Sequence, residues 1–213
     1  MLFRSPAYTF YMFYLFTGKS PIPELELGFA IAAGSLFADE TFKLMKDTIS
    51  AIIREYGVGK INYGLVVFGD TATIKIRFND FTDINNLLQF LSATPKKRSG
   101  AAMDEALIEA EKLFSPANVR PRARKVLVVI TDLQSGKLPS EVREATRPLQ
   151  DKGIKIVAVA IGKEVDPKEF EIFTSRENII EEKRSAEPDD LKMKIMSMVF
   201  RGGSSQIVIL TDL

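Results

Sequence analysis

Asp132 is the residue with the clearest chemical position in this chain. It closes the run Lys125-Val-Leu-Val-Val-Ile-Thr-Asp132, in which five consecutive apolar residues, four of them β-branched, follow a lysine. A short, uniformly apolar run reads as a strand buried on both faces of a parallel sheet. Ligands of such sheets sit beyond the carboxyl ends of the strands, where Asp132 stands. An aspartate there can ligate a metal or cap a turn by accepting backbone N–H bonds, and both readings stay open. Ser35 is a second oxygen donor, in the turn Ala32-Ala-Gly-Ser-Leu36 after the first apolar strand. Lys96-Lys97-Arg98 is a basic cluster in the loop Ser92–Gly100. It is either a solvated charge run or a cationic surface for a partner's carboxylate.

Other chemistry is excluded by what the chain lacks. It has no His, Cys or Trp. That removes the usual general base, the Ser-His-Asp triad, thiolate metal sites and any disulfide framework. Gly57-Val-Gly-Lys60 has neither the spacing nor the Ser/Thr of a phosphate loop, and it precedes a strand. The 29 Lys and Arg against 28 Asp and Glu leave a formal charge of +1, which argues against nucleic acid as partner. No small-molecule substrate and no nucleotide cofactor is indicated.

The elements that position these residues follow from periodicity. Strands are expected at Leu25–Ala33, Ile61–Phe68, Thr71–Phe78, Lys125–Thr131, Ile154–Ile161 and Asn178–Ile180. Helices are expected at Asp39–Tyr56, Ile84–Leu91, Ala102–Phe114, Ser140–Lys152, with Ser140 as N-cap, and Pro188–Phe200, with a short one starting at Asp166-Pro167. The two-residue turn Gly69-Asp70 makes the third strand antiparallel to the second. The fold class is α/β: a doubly wound, mostly parallel six-stranded sheet with one antiparallel edge strand and helices on both faces, Rossmann-like in its layering.

Residues 1–20 carry the aromatic-rich run Ala7–Phe16, too short to span a bilayer. It is read as a signal-like or a disordered segment. Residues 24–200 form the main domain. Residues 201–213 comprise a Gly/Ser linker and Gln206-Ile-Val-Ile-Leu-Thr-Asp212, which is either an extra edge strand or the start of a second, tandem domain.

Several phrases, in this order and spacing, resemble a von Willebrand factor type A domain over roughly residues 24–200. They are Thr41-Phe-Lys-Leu-Met-Lys-Asp47, Asn62-Tyr-Gly-Leu-Val-Val-Phe-Gly-Asp70, Glu105-Ala-Leu107, the strand ending at Asp132, Ile156-Val-Ala-Val-Ala-Ile-Gly162 and Val165-Asp-Pro-Lys-Glu-Phe170. Among relatives it looks most like the extracellular matrix members in collagens and matrilins. The resemblance implies a metal-ion-dependent adhesion site built from a DxSxS loop, a Thr and an Asp. Mg²⁺ there holds six hard oxygens, one of them supplied by a partner's carboxylate. Aligned on this chain, the DxSxS positions carry Ala32, Gly34 and Leu36, the Thr position carries Ala101, and only Asp132 is kept. A one-residue slip brings Ser35 near a ligand position. The expectation is a degenerate site binding Mg²⁺ weakly if at all. The function implied is a non-catalytic adhesion or protein-interaction module, secreted, with matrix or cell-surface proteins as partners. The alternative is an intracellular scaffold subunit of a multiprotein complex. An enzyme is the weakest reading, because no second carboxylate or base is placed beside Asp132.

Overall fold

The computed structural model describes residues 24–34, 38–96, 100, 102–131, 138–162 and 167–201. Six strands form one sheet: β1 (Leu25–Ala32), β2 (Ile61–Phe68), β3 (Ala72–Ile76), β4 (Arg124–Thr131), β5 (Lys155–Ile161) and β6 (Ile179–Glu182). Their order is β3-β2-β1-β4-β5-β6, and only the β2–β3 pair is antiparallel. The helices are α1 (Asp39–Tyr56), α2 (Ile84–Ala93), α3 (Met103–Leu113), α4 (Pro139–Asp151), the single turn α5 (Pro167–Phe170) and α6 (Pro188–Phe200). The chain steps outward from β1 to β2 and in the opposite direction from β4 to β5. Right-handed crossovers therefore place α1 and α4 on opposite faces. α1 packs with α2 and α6, while α3 packs with α4 and lies on β1, β2 and β3. The expected doubly wound sheet with one antiparallel edge strand is the observed fold.

The central pair explains the composition of its strands. All eight residues of β1 are buried, and Val126 through Ile130 of β4 have no exposed surface. Both faces are covered by helices, so neither face needs polar residues.

Local differences from the expected boundaries have physical causes. The β2–β3 connection is three residues long: the Gly69 N–H donates to the Thr71 carbonyl, and the Thr71 N–H donates to Asp70 Oδ1 at 3.0 Å. These bonds keep Thr71 out of the ladder. β3 stops at Ile76 because the Arg77 N–H turns to Asp80 Oδ2, 2.7 Å away. α4 begins at Pro139, with Leu138 rather than Ser140 as its N-cap residue. Proline presets the first helical φ and lacks the N–H that would be left unpaired there. The Leu138 N–H is instead satisfied by Glu141 Oε2 at 3.2 Å.

The bottom of the sheet, at the amino ends of the parallel strands, is closed by two ionic clips. Glu26 is fully buried in β1. Its Oε1 accepts from Arg120 Nε at 2.6 Å and from the Arg120 N–H at 3.2 Å. The same guanidinium donates to the carbonyls of Gly59, Leu25 and Lys60. One side chain thus ties the α1–β2 turn, β1 and the α3–β4 loop together. In the second clip, Arg124 donates to the carbonyls of Phe200 and Arg201, and Lys155 Nζ donates to those of Met198 and Arg201. These cations cap the carboxyl end of α6, where the helix dipole favours positive charge. Burial, and then the charges of Arg124 and Arg201, push the Lys155 ammonium down to about 8.

Two outcomes follow. Arg120→Ala strands a buried carboxylate and is expected to cost about 3 kcal/mol or more of stability in urea unfolding. Glu26→Leu combined with Arg120→Leu is expected to lose less than Arg120→Ala alone. At Lys155 the unfolded chain binds more protons than the folded one between the folded value, about 8, and the ordinary lysine value of 10.5. Stability therefore rises with pH through that window. Above pH 10 the trend reverses, because burial raises Tyr56 to about 12 and raises Tyr63 as well. Urea midpoints for the wild type should climb between pH 8 and 10, and Lys155→Met should flatten that climb.

Candidate functional site

Parallel strands deliver their carboxyl ends to one side, so the termini of β1, β2 and β4 meet at the top of the sheet. β1 leads into Ala33 and Gly34, β2 into Gly69 and Asp70, and β4 ends at Thr131, which is fully buried. The Ala33 N–H donates to the Phe68 carbonyl at 2.7 Å, extending the β1–β2 ladder beyond β1. The Ala102 N–H donates to the Gly69 carbonyl at 2.6 Å, which fixes the start of α3 against the β2–β3 turn. Glu105, in the first turn of α3, accepts from the Ala72 N–H at 3.1 Å and holds the same turn from its other side.

The packing between these loops is backbone against backbone. A Cβ on Gly34 would lie 2.1 Å from the Gly100 carbonyl oxygen. Gly100 has φ +75°, and a Cβ there would lie 2.5 Å from the Asp70 Cα and 2.6 Å from its nitrogen. Gly34, Gly100 and Asp70 form a stack with no room for a side chain at either glycine. Only glycine combines that φ with that approach.

Of the residues singled out in the sequence, Ala32, Gly34 and Lys96 are among those described. Ala32 is buried at the end of β1. Lys96 is turned onto the first residue of α1, with Nζ 2.9 Å from Asp39 Oδ1. The loop before it is pinned by Lys46, whose Nζ donates to the carbonyls of Ser92 and Thr94. Ser35, Leu36, Lys97, Arg98, Ala101 and Asp132 lie outside the described residues. Among the described residues, no group of three or more carboxylates is placed to hold a metal ion. Three features emerge only in the folded chain: the Gly34–Gly100 approach, the anchoring role of Glu105 and the Glu26–Arg120 clip. A charged residue inside the apolar run Leu25–Ala32 was the available signal for the clip. Arg120 is half-buried and turned inward onto Glu26, whereas its neighbour Arg122 is exposed.

The model of the von Willebrand factor type A domain matches residues 31–196 of the chain. The chain is 30% identical to the collagen alpha-1(XX) chain of Mus musculus over 139 residues, covering 63% of this chain and 10% of that protein. It is 28% identical to matrilin-1 of Homo sapiens over 152 residues, covering 69% and 30%. Thus it spans a third or less of the length of these relatives. Proximal thread matrix protein 1 from the mussel byssus, in a structure with a zinc-occupied MIDAS motif, superposes with a TM-score of 0.68 at 21% identity. That match covers 84% of this chain and 45% of the mussel protein.

Ala32 and Gly34, the described residues that the resemblance aligns with ligand positions, supply no side-chain oxygen to a divalent ion. Ala32 offers a methyl group and Gly34 no side chain at all. The space a hydroxymethyl at position 34 would need holds the Gly100 carbonyl. Gly34→Ser should therefore separate the stacked loops and cost about 1–3 kcal/mol in thermal or urea unfolding, as overpacking does elsewhere. A Gly34→Ser protein as stable as the wild type would show that the stack yields easily.

Proposed function

The chain belongs to the von Willebrand factor type A family, and from that membership we propose that it is a non-catalytic adhesion module that binds other proteins without a bridging metal ion. The glycine stack carries this reading. In metal-bearing members the ion presents an open coordination position to a partner's carboxylate. Gly34, which the resemblance aligns with the first ligand serine, is pressed against the Gly100 carbonyl. Partners are then held by side chains on the helix faces and sheet edges, through apolar burial and ionic contacts. The matrix character of the collagen and matrilin relatives supports an extracellular setting. The absence of His and Cys, together with the substitutions at the ligand positions, supports a role in binding over catalysis.

Calorimetric titration of the full chain with Mg²⁺ and Mn²⁺ tests this directly, with Asp132→Ala as control. The expected result is no binding heat, and a melting temperature that neither ion nor mutation changes. Micromolar binding that disappears in Asp132→Ala would restore metal-bridged adhesion and end this reading.

A further inference from the structure

α3 and α4 lie side by side and run the same way, both starting at the top of the sheet. Each turns one stripe of side chains outward to the seam between them. From α3 come Asp104, Ile108 and Glu111, at positions i, i+4 and i+7. From α4 come Glu141, Glu144, Ala145 and Pro148. They line a groove of about 440 Å³. Its middle is apolar, and Ile108 is 44% exposed there. Its lining holds four carboxylates and no lysine or arginine, in a chain whose charges as a whole sum to +1.

Local structure accounts for some of this charge but not all of it. Asp104 and Glu141 sit in first turns, where the helix dipole favours acids. Glu111 is paired with Lys152 across the far end of the groove. Glu144 is in neither position. It is exposed, and it forms no hydrogen bond or ion pair among the described residues. Pro148, four residues on, has no N–H, so the Glu144 carbonyl loses its helical donor. Residue 144 presents an exposed carboxylate beside the exposed apolar surface of Ile108 and Pro148. Long cationic side chains match that pairing, because they lay an aliphatic stem on apolar surface while the head reaches an acceptor. A metabolite pocket would enclose its ligand and converge polar groups on it. This groove instead lies along the outer surface of two helices.

We infer that the α3–α4 groove docks a basic amphipathic helix of a partner protein, with an arginine or lysine at Glu144 and apolar side chains on Ile108 and Pro148. The inference rests on the reading of this chain as a protein-interaction module and names the surface that module uses.

The test uses the full chain and a fluorescein-labelled helical peptide of leucine and arginine, followed by anisotropy. Its twin, with glutamate in place of arginine, is the control. The arginine peptide should bind, weaken with added salt, and lose affinity about tenfold in Ile108→Asp, the effect of one interface hot spot. Glu144→Gln, which keeps shape and fold, should lose affinity by a similar factor. Equal binding to wild type and both variants, or equal binding of the glutamate twin, overturns the proposal. So does self-association of the chain that Ile108→Asp abolishes, because a second copy would then be the occupant. Metal calorimetry separates the two readings. Peptide binding with metal uptake sinks metal independence alone, and loss of peptide binding with silent calorimetry sinks the groove alone.

Discussion

One face of this molecule depends on how closely the end of α3 approaches the sheet. A Cβ on Gly28 of β1 would lie 2.9 Å from the Phe114 ring, and one on Gly64 of β2 would lie 2.8 Å from Leu113. Two strands give up their side chains so that Leu113 and Phe114 can rest on the backbone, with Phe78 closing the pocket at a ring distance of 4.9 Å from Phe114. Dense contact of this kind gathers many small dispersion terms over one small area. With its lower end seated there, α3 has a fixed axis, and three other features take their positions from it. The Arg120 loop follows the helix toward Glu26. The helix start meets the β2–β3 turn through Ala102 and Glu105. Its outer stripe sets one wall of the groove shared with α4.

The top and bottom of the sheet are closed by different physics. At the bottom, charge does the work: a buried carboxylate and a guanidinium that reaches three carbonyls, with a second pair of cations over the end of α6. At the top, among the described residues, the loops meet through the bare backbones of Gly34, Gly100 and Asp70. A glycine pressed against a carbonyl contributes no side-chain oxygen with which an ion could cross-link the loops. The missing side chain at Gly34 and the close approach of the loops are thus mutually consistent features of one surface.

The fold was legible in the sequence because both of its periods are strong. The five apolar residues of β4 and the 3/4 spacing along Asp39–Tyr56 each admit one reading, and the short β2–β3 connection settles which strand is antiparallel. Some element ends shifted for local reasons, as where the Asp80 hydrogen bond ends β3 and where Pro139, with Glu141 on the Leu138 N–H, starts α4. No periodic signal encodes such bonds.

By itself the sequence determined the layer order, the buried central strands and the family, because all of these are written in residue type and local spacing. The tertiary structure alone decided what Gly34 faces. Gly34 and Gly100 are far apart in the chain, and only the folded sheet brings them to a distance that admits no side chain. Glu26 and Arg120 read as stray charges until the α3–β4 loop folds back beneath β1. Likewise Ile108, Glu144 and Pro148 became one surface only once two helices lay in register. Contacts between distant segments depend on how whole elements pack, and local propensity carries no record of that.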